Sequence, residues 1–249
     1  MRWWYADRSV VACVGRRPQG RRPGSVVADR PPALTMPDAR TFTGAADVRP
    51  RMSDAASPPA AFDPDRTAVV VVDMQNGFCH PDGSLHAPAS EAAIDPVAAL
   101  VGRAHDAGTP VIYTRDVHPP GQFDDTHYYD EFERWGEHVV EGTWEADLVD
   151  DLPTDDAAHV VEKHTYDAFY RTDLDGWLDS HGVDDLLICG TLANVCVLHT
   201  AGSAGLRDYR PVVVADALGY IEADHRAYAV DHADWLFGET TTLDEVRFE

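Results

Sequence analysis

The sequence predicts an α/β protein with a doubly wound, mostly parallel six-stranded sheet and helices on both faces. Three observations predict it. Short β-branched runs alternate with segments whose apolar residues recur at helical spacing. Several of the helical segments stop at glycines, Gly108, Gly182 and Gly238. Unusual polar residues gather directly after the strands, and in sheets of this kind ligands bind beyond the carboxyl ends of the strands.

Residues 67–72 are a continuous β-branched run, too short for a helix, and read as a buried parallel strand. Residues 91–107 place Ile94, Val97, Leu100, Val101 and Ala104 on one helical face, leading into a strand at 110–114. A strand at 159–162, a helix at 172–181 and a strand at 185–189 follow. A helix at 194–207, a strand at 211–215, an amphipathic helix at 224–237 and a short last strand at 240–243 complete the series. Repeated βα units require right-handed crossovers and a parallel sheet.

The chain has 249 residues, 44% of them hydrophobic, enough for one sizeable core. Its 20 Lys+Arg against 43 Asp+Glu leave a formal charge of −23, which argues against a nucleic-acid partner. No run of about 18 apolar residues occurs, so no membrane span is expected. The four cysteines, Cys13, Cys79, Cys189 and Cys196, form no CxxC pair and are read singly. Residues 1–51 carry ten Arg and four Asp in a Pro- and Gly-rich context without periodicity; residues 1–60 read as a disordered basic extension, and 61–249 as the folded domain. The twin arginines there are not followed by the apolar stretch of an export signal, and Met52 offers an alternative start. The other 198 residues hold a charge of −29 with one lysine, Lys163. Scattered carboxylates with almost no lysine suit a halophilic cytoplasm, where salt screens self-repulsion.

That single lysine stands at the end of a strand, where solvation gives no reason for it. Arg cannot replace a compact ammonium of adjustable pKa, so a chemical role is expected. After 67–72 comes Asp73, and the turn Gly190-Thr191-Leu192-Ala193-Asn194-Val195-Cys196 places Cys196 in the first turn of a helix. Backbone N–H groups there, with Lys163 nearby, are expected to lower the thiol's pKa, leaving Asp73 to move protons. Such a set is equipped for acyl transfer. Asp116 and His118 can face one ion, with a further His from His127 or His138; alone, an Asp-x-His pair is more often a hydrogen-bonded strand end. The acidic, aromatic stretch 122–135 reads as a solvated lid or as the wall of a pocket for a flat ring.

Three segments in order carry a resemblance. The run from Asp73 through Phe78 to Leu85, the group Lys163 with Tyr166 to Phe169 and Thr172 to Leu174, and the turn from Gly190 to Cys196 are similar to those of the isochorismatase-like cysteine hydrolases, and most like nicotinamidases. The resemblance covers about residues 66–249. It implies a catalytic triad of Asp73, Lys163 and Cys196, and an oxyanion hole from the backbone N–H groups of Leu192 and Cys196, with a cis peptide bond before Leu192. It also implies a divalent metal, zinc foremost with iron or manganese as alternatives, on Asp116, His118 and His138. His138 lies in Trp135-x-x-His138 ahead of Gly142-Thr143, the pattern that separates nicotinamidase-like members from metal-free relatives. His127 is a candidate for one more ligand, and Phe78 and Trp135 would sandwich the substrate ring. The implied reaction is hydrolysis of a small amide, nicotinamide first. The alternatives are a cysteine amidase acting on ureido or carbamoyl compounds and an isochorismatase-like hydrolase, the last disfavoured by Cys196. Family members often have Ala-Thr where this chain has Leu192-Ala193, and they often form homo-oligomers.

Overall fold

The computed structural model describes residues 61–120, 131–154 and 158–249. The basic N-terminal segment with Cys13 and Met52, and His127, lie outside the described residues. Six strands form one sheet: β2 (Thr67–Val72), β3 (Val111–Asp116), β4 (His159–Lys163), β5 (Asp185–Gly190), β6 (Arg210–Leu218) and β7 (Glu239–Thr241). Their order is β4-β3-β2-β5-β6-β7, and every pairing is parallel. The order reverses direction between β2 and β5, which is the point where a doubly wound sheet opens a crevice for ligands. A two-residue ladder of β1 (Ala61–Phe62) with β8 (Arg247–Phe248) stands apart from this sheet. Among the described residues no helix is long and apolar enough to cross a membrane.

The alternation of side chains along each strand divides the core in two. Val69, Val71, Val111, Tyr113, Leu187, Val212 and Val214 pack with Val97, Leu100, Val101 and Ala104 of α3 (Ile94–Ala107). Ala68, Val70, Val72, Ile112, Val161, Leu186, Ile188 and Val213 face the opposite layer, made of α5 (Leu174–Ser180), α6 (Leu198–Gly205) and α7 (Ala223–Leu236). β2 is buried at all six positions, which explains its unbroken apolar run.

The structure departs from the sequence reading in several places. The helix read at 91–107 is two pieces, α2 (Pro88–Ala92) and α3, joined at Ala93. α3 ends as expected, with Gly108 in the left-handed conformation at φ 76°. β4 is an edge strand, and only Val161 and Lys163 among its five residues are buried. The helix read at 194–207 begins as a π-helical turn, Ala193–Val197, before α6. α7 buries only Ala229 and Ala233 and leaves Tyr228, Trp235 and Leu236 exposed, so its apolar face is narrower than expected of an amphipathic helix.

One glycine is demanded by this packing. Gly190, the last residue of β5, has φ 106°, and a Cβ there would lie 2.2 Å from the carbonyl oxygen of Val72. Gly190→Ala is therefore expected to destabilise the fold by about 2–4 kcal/mol through backbone strain and overlap, read as a lowered midpoint of urea unfolding. A midpoint equal to that of the parent would show that β2 and β5 can separate there without cost.

Candidate active site

Four strand ends converge beyond the carboxyl edge of the sheet. Ile112 packs in the layer below Cys196, so alternation along β3 brings Thr114 and Asp116 to the same face; Val161 does the same for Lys163 on β4. Asp116 and Lys163 are paired across the two strands. Val72 faces that layer too, and the chain then breaks its alternation at Asp73, whose φ is 48°. Aspartate tolerates this left-handed conformation better than most residues. The Asp73 N–H donates to Thr114 Oγ1 at 3.1 Å, and the Thr114 hydroxyl donates to Asp73 Oδ1 at 2.6 Å.

Lys163 is the hub. It is 1% exposed, and its Nζ lies 2.7 Å from Asp73 Oδ2, 2.9 Å from the carbonyl oxygen of Thr165 and 3.6 Å from Cys196 Sγ. Asp116 Oδ1 is 3.9 Å away. Burial alone would strip the ammonium of its proton, but Asp116, Asp73 and Cys196 raise its pKa above the usual lysine value. Burial also raises the pKa of Asp73, with Asp116 adding to the shift and Lys163 opposing it. Asp116 is pulled the other way: burial would raise it, but Lys163, His118 and His138 hold it low.

Cys196 corrects an expectation. Its thiol pKa lies well above the ordinary value, because burial outweighs Lys163, and Asp73 and Asp116 push in the same direction as burial. The cation and the helix start are not enough to offset the loss of solvent around the sulfur. A raised pKa favours the thiol over the thiolate, and the Asp73 carboxylate, whose own pKa is raised, stands on the same Lys163 ammonium as the sulfur and can accept its proton. The Thr191–Leu192 peptide bond is cis. Leu192 precedes the π-helical turn, and its carbonyl accepts from Val195 and Val197. A thiol, a proton acceptor and a buried cation can together support acyl transfer.

Asp116 also belongs to a second cluster. Asp116, His118, Glu131 and His138 are all buried, and each offers a ligand atom within 4.8 Å of the others. His118 is held by backbone bonds to the segment carrying His138: its N–H donates to the Val139 carbonyl at 3.2 Å, and its own carbonyl accepts from Glu141 at 2.9 Å. Val139 adopts φ 40°, a strained value for a β-branched residue. The Nδ1–H of His138 donates to the Gly136 carbonyl at 2.7 Å, which orients the ring so that Nε2 is turned toward Glu131, 3.8 Å from Oε2. Asp116 Oδ1 is sealed from solvent without a hydrogen-bond partner among the described residues. Two imidazoles and two carboxylates, one with an orphaned oxygen, fit a divalent cation.

The structure thus brings together Asp73, Lys163, Cys196, Asp116, His118 and His138. Phe78 is buried with its ring centroid 6.4 Å from that of His138, while Trp135, at the end of α4 (Glu131–Trp135), is half exposed, with no ring contact to Phe78 among the described residues. Glu131 was missed in a stretch read as a lid or pocket wall. Its one signal is that it lies seven residues before His138, and acids are too common in this chain to single it out. Gln75 was missed too: its side chain donates to the carbonyls of Asp116 (2.9 Å) and Ala146 (3.0 Å) and accepts from the Asp116 N–H (2.8 Å), fixing the end of β3.

Comparison with known proteins finds relatives of this chain. Residues 67–245 match the Isochorismatase domain family. The phenazine biosynthesis protein PhzD of Pseudomonas fluorescens is 30% identical over 185 residues, 74% of this chain and 86% of that protein. The crystal structure of N-carbamoylsarcosine amidase from Thermoplasma acidophilum is similar at 33% identity and a TM-score of 0.62, over 72% of this chain and 97% of that one. The pyrazinamidase of Pyrococcus horikoshii, solved in complex with zinc, is similar at 28% identity and a TM-score of 0.63, over 71% and 99% of the two chains.

The described cysteines should differ in reactivity. Burial pushes the Cys79 thiol up to about 12 and raises Cys189 further, while Cys196 is 7% exposed. Iodoacetamide mapped by peptide mass should modify Cys196 in the folded protein and spare Cys79 and Cys189 until denaturant is added. Because the thiolate is the reacting form and its pKa is raised, the Cys196 rate should still be climbing above neutral pH. A rate that has levelled off below neutrality would mean a low-pKa thiolate.

Proposed function

Because the chain belongs to the isochorismatase family, we propose that it is an amidohydrolase that forms a thioester on Cys196 and acts on a small aromatic carboxamide, nicotinamide first. The observation that carries this reading is the position of Lys163, whose ammonium lies 3.6 Å from Cys196 Sγ and 3.9 Å from Asp116 Oδ1. A four-donor cation cradle therefore adjoins a nucleophile within the length of a small ring bearing an amide. Relatives described as a pyrazinamidase with zinc and as an N-carbamoylsarcosine amidase support amide chemistry.

In the first half-reaction Asp73 accepts the thiol proton, Cys196 Sγ bonds to the carboxamide carbon, and the N–H groups of Leu192 and Cys196 stabilise the oxyanion. Asp73 then gives the proton to the departing nitrogen, the C–N bond breaks and ammonia leaves. In the second half-reaction Asp73 takes a proton from water, hydroxide adds to the thioester carbon, and the C–S bond breaks as Asp73 returns the proton to the sulfur. Lys163 holds its charge throughout and balances whichever of Asp73 and Cys196 is anionic. A divalent ion, zinc foremost, held by Asp116, His118, Glu131 and His138 would supply a Lewis-acidic anchor for a ring nitrogen. Phe78 offers an apolar wall beside this cradle, and the half-exposed face of Trp135 leaves room for a ring to stack against it. A linear ureido or carbamoyl substrate is the second reading, favoured by the 33% identity to the carbamoylsarcosine amidase.

Ammonia release from nicotinamide at molar salt tests the proposal. Turnover should fall at least about a thousandfold in Cys196→Ala, fall on chelation and return with a divalent ion. Tight metal binding without nicotinamide turnover, together with chelator-resistant hydrolysis of a carbamoyl compound, would replace it with the second reading. Glu131→Gln should weaken binding of zinc alone by about ten- to a hundredfold in calorimetry. Unchanged affinity would remove Glu131 from the ligand set.

A further inference from the structure

The turn that carries Cys196 is gripped by groups that take no part in the chemistry above. Ser90, in the middle of α2, is fully buried, and its Oγ lies 2.6 Å from Oγ1 of Thr191, the residue after β5 and itself buried. Gly219, just past β6, closes the remaining side. Its carbonyl accepts from the Ala193 N–H at 2.8 Å, and its own N–H donates to the Gly190 carbonyl at 2.9 Å. A Cβ on Gly219 would stand 2.4 Å from Ser90 Oγ and 2.6 Å from Thr191 Oγ1, so the three residues are in close contact. The Thr191 N–H donates to the Val72 carbonyl at 2.8 Å. Thr191 is thereby held to β2 through its backbone and to α2 through its side chain, one residue before Leu192.

A buried hydroxyl pair is a directional choice. Two apolar side chains would fill the space without the desolvation that two hydroxyls suffer, and that cost is met only if the hydroxyls face each other in one arrangement. Van der Waals packing permits small slides of a turn, whereas a 2.6 Å hydroxyl contact does not. Oxyanion stabilisation depends on donors placed to within a fraction of an ångström of the developing charge.

We propose that Ser90 and Thr191 are a positioning pair, whose hydroxyl–hydroxyl bond fixes the turn so that the N–H groups of Leu192 and Cys196 meet the carbonyl oxygen under attack. Neither residue touches the substrate. The inference rests on the acyl-transfer reading of Cys196, so its test uses a substrate that needs an oxyanion hole but no particular amide. With p-nitrophenyl acetate, a bond forms between Cys196 Sγ and the acetyl carbon, the ester C–O bond breaks, p-nitrophenolate leaves and the thiol proton passes to Asp73.

The burst of p-nitrophenolate is measured in the parent and in Ser90→Ala, Thr191→Val, the double variant and Thr191→Ser, alongside kcat and KM for ammonia release from nicotinamide. The single variants should slow acylation and kcat about ten- to a hundredfold with KM within about twofold. Thr191→Ser, which keeps the hydroxyl, should recover most of the rate. The double variant should be no slower than the worse single one, because both remove the same bond. Zinc binding by each variant reports that the fold is intact, and if Ser90→Ala does not fold, Thr191→Val against Thr191→Ser decides the matter. Parent-like bursts in the single variants, additive losses in the double, or a Thr191→Ser as slow as Thr191→Val would each overturn the proposal. A parent that gives a burst but releases no ammonia would sink the amide assignment and leave the pair to be judged on the burst; a parent without a burst would sink both.

Discussion

The site depends on one buried ammonium. Lys163 is removed from water, and a lysine in that position keeps its proton only if negative or strongly polar groups replace the lost hydration. Three acceptors stand around its Nζ, the Asp73 carboxylate, the Thr165 carbonyl and the Cys196 sulfur, with the Asp116 carboxylate just beyond. Each of these is in turn constrained by the cation. Asp73 sits in a left-handed turn, Asp116 ends a strand clamped by Gln75, and Cys196 lies in a turn that Gly190 admits only because it has no side chain. Removing Lys163 would leave two buried carboxylates facing a thiol with nothing between them, an arrangement that must expel charge or open.

The same ammonium joins two clusters that a motif search treats as separate. Asp116 belongs to the Asp-His-Glu-His cradle and to the Lys163 ion pair, so charge placed in the cradle is felt at the lysine and, through it, at the sulfur. The parallel order β4-β3-β2-β5 makes this inevitable, since the four strand ends that carry Lys163, Asp116, Asp73 and the Cys196 turn are consecutive neighbours. A helix-bundle scaffold would have to bring these groups together by side-chain reach, whereas here the backbone register does so.

Much of this was legible in the sequence, for identifiable reasons. β-branched runs mark buried parallel strands plainly, and a lone lysine in a chain averse to lysine is conspicuous at a strand end. Asp116, His118 and His138 could be named because they fall in a recognisable pattern. Glu131 could not, because one acid among 43 carries no signal until its neighbours are known. Gln75, Thr114, Ser90 and Thr191 act through side-chain bonds to groups 41, 71 or 101 residues away in the chain, and no local periodicity encodes such contacts. The π-helical start of the Cys196 turn and the two-residue β1–β8 ladder depend on tertiary contact in the same way. The direction of the Cys196 shift was misjudged because helix ends and charges are visible in a sequence but solvent exclusion is not.

A buried ammonium that sets up a thioester on Cys196 during amide hydrolysis should leave that thioester to be trapped. Acid-quenching the protein within its first turnovers of nicotinamide, followed by peptide mass analysis, addresses it directly. The peptide containing Cys196 should be heavier by the acyl group of the substrate and should return to its original mass as substrate is exhausted. Ammonia release with Cys196 unmodified at every quench time, or an acyl mass on any other residue, would contradict it.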